Sequence, residues 1–262
     1  MQEFLDLESF PLDRPGTDAF EDLVARCRSE LQDDGMCNLP GFFLPAKALA
    51  AAQTLSPLFA TDAFRQQRHH NIYFNPSIDL PPDHPALQMF ETRNLTLCAD
   101  QLAATAIPDI YAWLPLRAFL ARIMGKERLY KMDDPLACVN VMSYGAGDRL
   151  SWHFDRSEFT TTLLLQAPES GGEFEYRTDL RTESDPNYDG VARLLGGQDP
   201  EVRRIALSAG TLNIFRGANT PHRVTPIAGD TTRIIAVFSY FDRPGKTLTP
   251  EEQTGFYGRR AS

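Results

Sequence analysis

The first part of the chain carries apolar residues at helical spacing. Phe20, Leu23, Val24, Cys27 and Leu31 recur every three or four positions behind Asp18 and Glu21, which read as a capping box, and Gly35 ends the run. Residues 36–44 predict a short strand and turn. Pro45 then opens a second helix, turning Leu49, Ala52 and Leu55 toward the core. A third helix begins near Pro115, with Leu116, Phe119, Leu120 and Ile123 on one face and Gly125 as its carboxyl-terminal cap. Between these helices, residues 61–85 mix Pro76, Pro81, Pro82 and Pro85 with polar groups, and read as a long loop apart from a strand-like segment at 71–74.

The period changes after about residue 136. CVNVMSY (138–144), FTTTLLLQ (159–166), GEFEYR (172–177), GTLNIF (210–215) and TRIIAVFSYF (232–241) are short β-prone runs separated by glycine-containing turns. Helices first and strands afterwards predict a mostly β fold with flanking α, an antiparallel barrel or sandwich braced by helices, and not a βαβ succession. A charged insert at 178–204 has room for a short helix around Val191–Leu195. The expected organisation is one domain over 1–262: mainly helical support in 1–135, the β core in 136–243, and a tail in 244–262.

Composition narrows the setting. The 262 residues are enough for a sizeable core, and the formal net charge of −9 argues against nucleic acid or an anionic membrane surface as partner. No stretch reaches the roughly 18 consecutive apolar residues of a spanning helix. MQEFLDLESFPLD is acidic and does not read as a secretory signal. Cys27, Cys37, Cys98 and Cys138 have no CxxC spacing, so free, mostly buried thiols in a cytoplasmic protein are expected.

The candidate chemistry lies in Trp152-His153-Phe154-Asp155. At strand period two, His153 and Asp155 share a face while Phe154 points away. A histidine alone in that place would read as a satisfied core residue. A carboxylate beside it on an inner barrel face is costly unless paired or bound to metal. His222, after the 210–215 strand, offers a third donor. Two histidines and one carboxylate leave three octahedral positions open, which suits non-haem Fe(II) and O2 activation.

With these residues in order, the chain resembles the Fe(II)/2-oxoglutarate oxygenase superfamily over about 138–243. His153-x-Asp155 resembles the proximal ligand pair, and Gly171-Gly172-Glu173-Phe174 the glycine pair opening a strand. Ala209-Gly210-Thr211-Leu212-x-Ile214-Phe215 resembles the strand before the distal ligand, which His222-Arg223-Val224-Thr225-Pro226 carries. The resemblance implies a double-stranded β-helix (jelly roll, cupin-like) with helices outside its major sheet. It implies Fe(II) on His153, Asp155 and His222, with 2-oxoglutarate and O2 as cosubstrates and succinate and CO2 as products. Arg233 matches the basic residue that grips the far carboxylate of 2-oxoglutarate; Arg223 is the next candidate, and Tyr144, Thr162 and Ser239 are candidates for a supporting hydroxyl. A non-redox metal-binding cupin-like protein, or an inactive jelly-roll scaffold, would share the fold.

Ser151–Gln166 with the two later motifs is similar to a small bacterial group acting on free amino acids, which contains radical halogenases and hydroxylating relatives. The halogenases have a small residue where Asp155 stands, so the resemblance implies hydroxylation. Arg156 faces away from Asp155 if the strand continues, and over the pocket if it bends. There it would repel a side-chain ammonium, which predicts a small substrate with a neutral or acidic side chain. Arg68, Asn71, Tyr73 and Asn219 are further candidates for substrate contacts. Of His69 and His70 at most one faces a site. A monomer or homodimer is expected.

Overall fold

The computed structural model describes residues 1–261. Helix α1 (Asp18–Asp33) buries Phe20, Leu23, Val24, Cys27 and Leu31 as the spacing predicts, but its cap is Thr17, whose hydroxyl accepts from the Phe20 amide. Strand β1 (Met36–Leu39) follows, then α2 (Pro45–Thr61), which buries Ala48, Ala52, Leu55 and Phe59 while Leu49 is exposed, contrary to expectation. The predicted loop at 61–85 instead begins as a strand, β2 (Phe64–His70), and the 71–74 segment is a turn. Strand β2 pairs antiparallel with β3 (Phe90–Leu97), so the first half supplies sheet as well as helical support. Helices α3 (Ile107–Ala112) and α4 (Leu114–Ile123) come next, α4 burying the predicted Leu116, Phe119, Leu120 and Ile123.

The strand-rich half contains β4 (Tyr130–Lys131), β5 (Val139–Tyr144), β6 (Leu150–His153), β7 (Thr160–Gln166), β8 (Ser170–Gly171) and β9 (Phe174–Tyr176). After α5 (Tyr188–Leu195), inside the charged insert, come β10 (Arg203–Ile205), β11 (Leu212–Phe215), β12 (His222–Val224), β13 (Ile227–Ala228), β14 (Arg233–Phe238) and β15 (Tyr240–Phe241). The expected tail contains α6 (Pro250–Tyr257), closed at its start by a Thr249/Glu252 capping box.

Seven strands form the major sheet in the order β1-β11-β7-β14-β5-β3-β2, and four form the minor sheet, β10-β9-β12-β6. Two-residue ladders join β13 to β8 and β15 to β4. Period-two alternation divides the major sheet's faces. Leu163, Leu165, Leu212, Ile214, Ile234, Ala236 and Phe238 point outward into the core shared with α1, α2 and α4. Tyr144, Leu164, Phe215 and Ile235 point inward, meeting Phe174, Tyr176 and Val224 of the minor sheet. This is the helix-braced jelly roll that the resemblance implies. Among the described residues no helix is long and apolar enough to cross a membrane.

Candidate active site

The inner faces of the two sheets enclose a cavity of about 310 Å3. In the minor sheet His153 ends β6 and His222 begins β12, and the antiparallel register sets them directly opposite. Asp155 lies two residues past His153, its amide donating to the Gly217 carbonyl at 3.0 Å. Gly217 is required for space: a Cβ there would stand 2.2 Å from the Asp155 Oδ2 and 2.8 Å from its Cγ. The Asp155 Oδ1 is 3.3 Å from the His153 Nε2 and its Oδ2 is 3.6 Å from the His222 Nε2. The three donor atoms lie within 4.8 Å of one another.

Hydrogen bonding fixes which histidine nitrogens face the centre. The Nδ1 of His153 lies 2.8 Å from the Ser151 carbonyl, and that of His222 lies 3.0 Å from the Thr220 carbonyl. A carbonyl only accepts, so each Nδ1 carries the proton and each Nε2 presents a lone pair. Burial, reinforced by His153, pulls the pKa of His222 down to about 4 against the attraction of Asp155. Burial also works against a charged Asp155. In their protonated forms His222 and His153, together with the Thr160 hydroxyl, which donates to its Oδ2 at 2.5 Å, outweigh that and hold the carboxyl below its ordinary range. Two lone pairs and a carboxylate converging in a buried place are mutually repulsive without a cation between them. The donor set therefore fits a divalent metal, and its 2-His-1-carboxylate composition fits non-haem Fe(II).

In the same cavity lining, Arg233 at the start of β14 is only 3% exposed. It stands opposite Tyr144 in the ladder, its guanidinium carbon 5.9 Å from that ring's centre. Among the described residues no carboxylate lies within 4.0 Å of it. Burial lowers its pKa to about 10, and burial raises the Tyr144 hydroxyl to about 12. Gly172 packs close beside it: a Cβ there would stand 2.7 Å from Ile227 and Pro168 and 3.2 Å from the Arg233 Cδ. An unpaired buried guanidinium facing a cavity calls for an anion. Thr162 lines the same cavity and donates to Asn213 at 3.4 Å.

Of the other expected site residues, Arg68 and Arg156 also line this cavity. Ser239 does not. It lines a neighbouring cavity of about 560 Å3, and its carbonyl accepts from the Tyr111 hydroxyl. Asn71 is absorbed in its own turn, accepting from the amides of Tyr73 and Asn75. Tyr73 packs its ring on Phe154 and donates to the Pro186 carbonyl. Asn219 uses its carbonyl to accept from the Arg181 amide and lies off the cavity wall. Arg223 donates to Glu175 at 2.5 Å and stacks on Trp152. Of the histidine pair, His70 is buried in the cavity wall, stacked on Phe74, while His69 is exposed. Gly217, Thr160, Asn94, Asn140, Phe256 and Tyr257 were not anticipated from sequence. Period-two reading of a polar run such as Thr92-x-Asn94-x-Thr96 is the signal that finds Asn94.

The helix-braced jelly roll and the buried two-histidine, one-carboxylate centre define an Fe(II)/2-oxoglutarate-type oxygenase. Within that class, a family model described as Halogenase D matches residues 91–252, well over half of the chain, and the chain belongs to that family. No curated protein matches it. Among solved structures, it is similar to the α-ketoglutarate-dependent carbocyclase SnoK of nogalamycin biosynthesis (12% identity, 92% of this chain and 94% of that one, TM-score 0.58). AviO1 from Streptomyces viridochromogenes is similar at 15% identity over 86% and 97% of the two chains, with a TM-score of 0.56. A prolyl-4-hydroxylase from Pseudomonas putida is similar at 14% identity over 82% and 98%, with a TM-score of 0.52.

Proposed function

We propose that the protein hydroxylates an unactivated C–H bond of a small amino acid or related carboxylic acid whose side chain is neutral or acidic. The observation that carries this reading is Asp155. Its carboxylate occupies the third ligand place, received by Gly217 and Thr160, where the halogenases that the sequence resembles have a small residue. Fe(II), 2-oxoglutarate and O2 would supply the oxidising power, the cosubstrate leaving as succinate and CO2.

The chain's own residues orient, neutralise and exclude water. His153, Asp155 and His222 would hold the metal on one face. Arg233 would hold the far carboxylate of 2-oxoglutarate by charge-assisted hydrogen bonds, with Tyr144 beside it and Thr162 in the same wall. Phe174 and Phe215 pack against His222, at 5.3 and 4.7 Å between ring centres, and keep that side dry. The free thiols of Cys27, Cys37, Cys98 and Cys138 support a reducing, cytoplasmic setting.

The test is a mass-spectrometric screen of free amino acids and small acids with Fe(II), 2-oxoglutarate and excess chloride. The expected product is one oxygen atom heavier than its substrate. A chlorinated product from the wild-type chain overturns the hydroxylase reading. A metal-loaded protein that neither binds nor consumes 2-oxoglutarate overturns the oxygenase reading.

A further inference from the structure

The cavity wall formed by β2, β3, residues 154–156 and α6 carries two arginines besides Arg233. The Arg68 and Arg156 guanidinium carbons lie 5.2 and 5.8 Å from the centre of the Phe256 ring, and Arg68 lies 5.3 Å from Phe74 as well. In a chain of net charge −9, surface arginines such as Arg122, Arg204 and Arg259 hold carboxylates. Among the described residues neither Arg68 nor Arg156 has one within 4.0 Å. Arg156 also borders the neighbouring cavity, whose carboxylates, Glu158, Asp242 and Glu252, all stand beyond that distance. Burial, and then the charge of Arg156, weaken the hold of Arg68 on its proton, so the two guanidiniums feel each other.

Neutral acceptors stand beside them. Gln66 and Asn94 are directly paired in the β2–β3 ladder and both line the cavity, two residues along from the Arg68–Thr92 pair. The Gln66 amide has no hydrogen-bond partner among the described residues. The Asn94 side-chain oxygen accepts from Thr96 at 2.8 Å and keeps a second lone pair. An ammonium can be received by these oxygens, next to an arginine of the same strand. The charges then set the rest of the ligand. The two carboxylates of 2-oxoglutarate and that of Asp155 answer to the metal and to Arg233, which leaves Arg68 and Arg156 uncompensated. One α-carboxylate neutralises one of them. Both are neutralised only by a ligand with a second carboxylate.

We infer that the substrate is a free acidic amino acid, aspartate- or glutamate-like. Its α-carboxylate lies on Arg68, its ammonium on the Gln66 and Asn94 oxygens, and its side-chain carboxylate on Arg156. Arg156 directly follows Asp155, so a carboxylate held there brings the carbons between the two acid groups to the side of His153, Asp155 and His222. This rests on the oxygenase reading and narrows its substrate class. A side-chain amide of the same shape would leave the Arg156 charge unmet, and a side-chain ammonium would be set against it.

Calorimetric titration of the nickel-loaded protein at saturating 2-oxoglutarate tests this with two isosteric pairs, L-glutamate against L-glutamine and L-aspartate against L-asparagine. At least one acid is expected to bind about tenfold or more tighter than its amide. R156Q should erase that preference, weakening the acid about tenfold and leaving the amide within about twofold. R68Q should weaken acid and amide alike, since both carry the α-carboxylate. Arg156 is exposed, so R156Q stays informative even if R68Q loosens the sheet. Amides binding as well as their acids, an acid preference that survives R156Q, or failure of all four probes to bind the wild type would each overturn the inference. A separate titration with 2-oxoglutarate alone reads the oxygenase assignment itself: absence of cosubstrate binding would sink that assignment, whatever the amino acids do.

Discussion

Replacing His222 by alanine removes one of three protein donors and leaves a void between Phe174 and Phe215. H153A, D155A and H222A are each expected to abolish 2-oxoglutarate-dependent succinate release, and circular dichroism should show the β fold intact. A collapsed fold in all three would make the metal structural. At Arg233 the expected loss is of a different kind. Arg233→Ala should raise the 2-oxoglutarate requirement by roughly thirty-fold to several thousand-fold, from about 2–5 kcal/mol for truncating one partner of a buried charge pair. Nickel binding, followed calorimetrically, should hardly change; an unchanged cosubstrate requirement would remove Arg233 from that role. The metal centre was legible in sequence because one strand period carries two of its donors and the third follows a clear strand. Gly217 was not, since nothing local to it shows that it faces a carboxylate sixty-two residues earlier.

Strands β2 and β3 escaped the apolar pattern for a physical reason. Their inward residues, Gln66, Arg68 and His70 on one and Thr92, Asn94 and Thr96 on the other, line a polar cavity instead of a core. Strand alternation normally shows as apolar against polar; here both faces of β2 are polar and the alternation disappears from view. Helix α6 was hidden by its position in an expected tail. It is tied down by Asp134, buried at 1% exposure, which accepts from the Gln253 side chain at 2.8 Å and from the amides of Leu248, Leu136 and Ala137. Burial opposes its charge, but those four donors outweigh burial and hold its pKa below 3.8. A depressed carboxyl stabilises the fold above its unfolded pKa, and that contribution is lost as pH falls from about 3.8 through the folded value. Acidification through that range should release α6, visible as faster hydrogen exchange at 250–257. Asp134→Ala should reproduce the release at neutral pH at a cost of about 1–3 kcal/mol. Exchange at α6 that ignores both changes would show it anchored elsewhere.

Across the whole molecule, the metal should act as a cross-link and not as a core. It would join β6 to β12 within the minor sheet, while the apolar layer between the major sheet and α1, α2 and α4 holds without it. Free metal at a hundredfold excess over its Kd adds about 2.7 kcal/mol. For a chain of this size that is a shift in Tm of about 5–10 °C. Differential scanning calorimetry with and without a chelator measures it, and unfolding at room temperature on chelation would contradict it.

The placement of the cavity walls along the chain has an evolutionary consequence. The metal donors, Arg233 and Tyr144 all lie between residues 139 and 238, inside the 91–252 segment that matches the family. Gln66, Arg68, His70 and Phe74 precede that segment, and Phe256 and Tyr257 follow it. Segments on either side of the matched region thus meet in the cavity wall, brought together by the pairing of β2 with β3 and the anchoring of α6. Such a molecule can diversify by exchanging these two flanking segments while the middle is inherited unchanged. A chimera carrying another family member's segments in place of 60–90 and 250–261 should take up that donor's substrate preference and keep this chain's KM for 2-oxoglutarate.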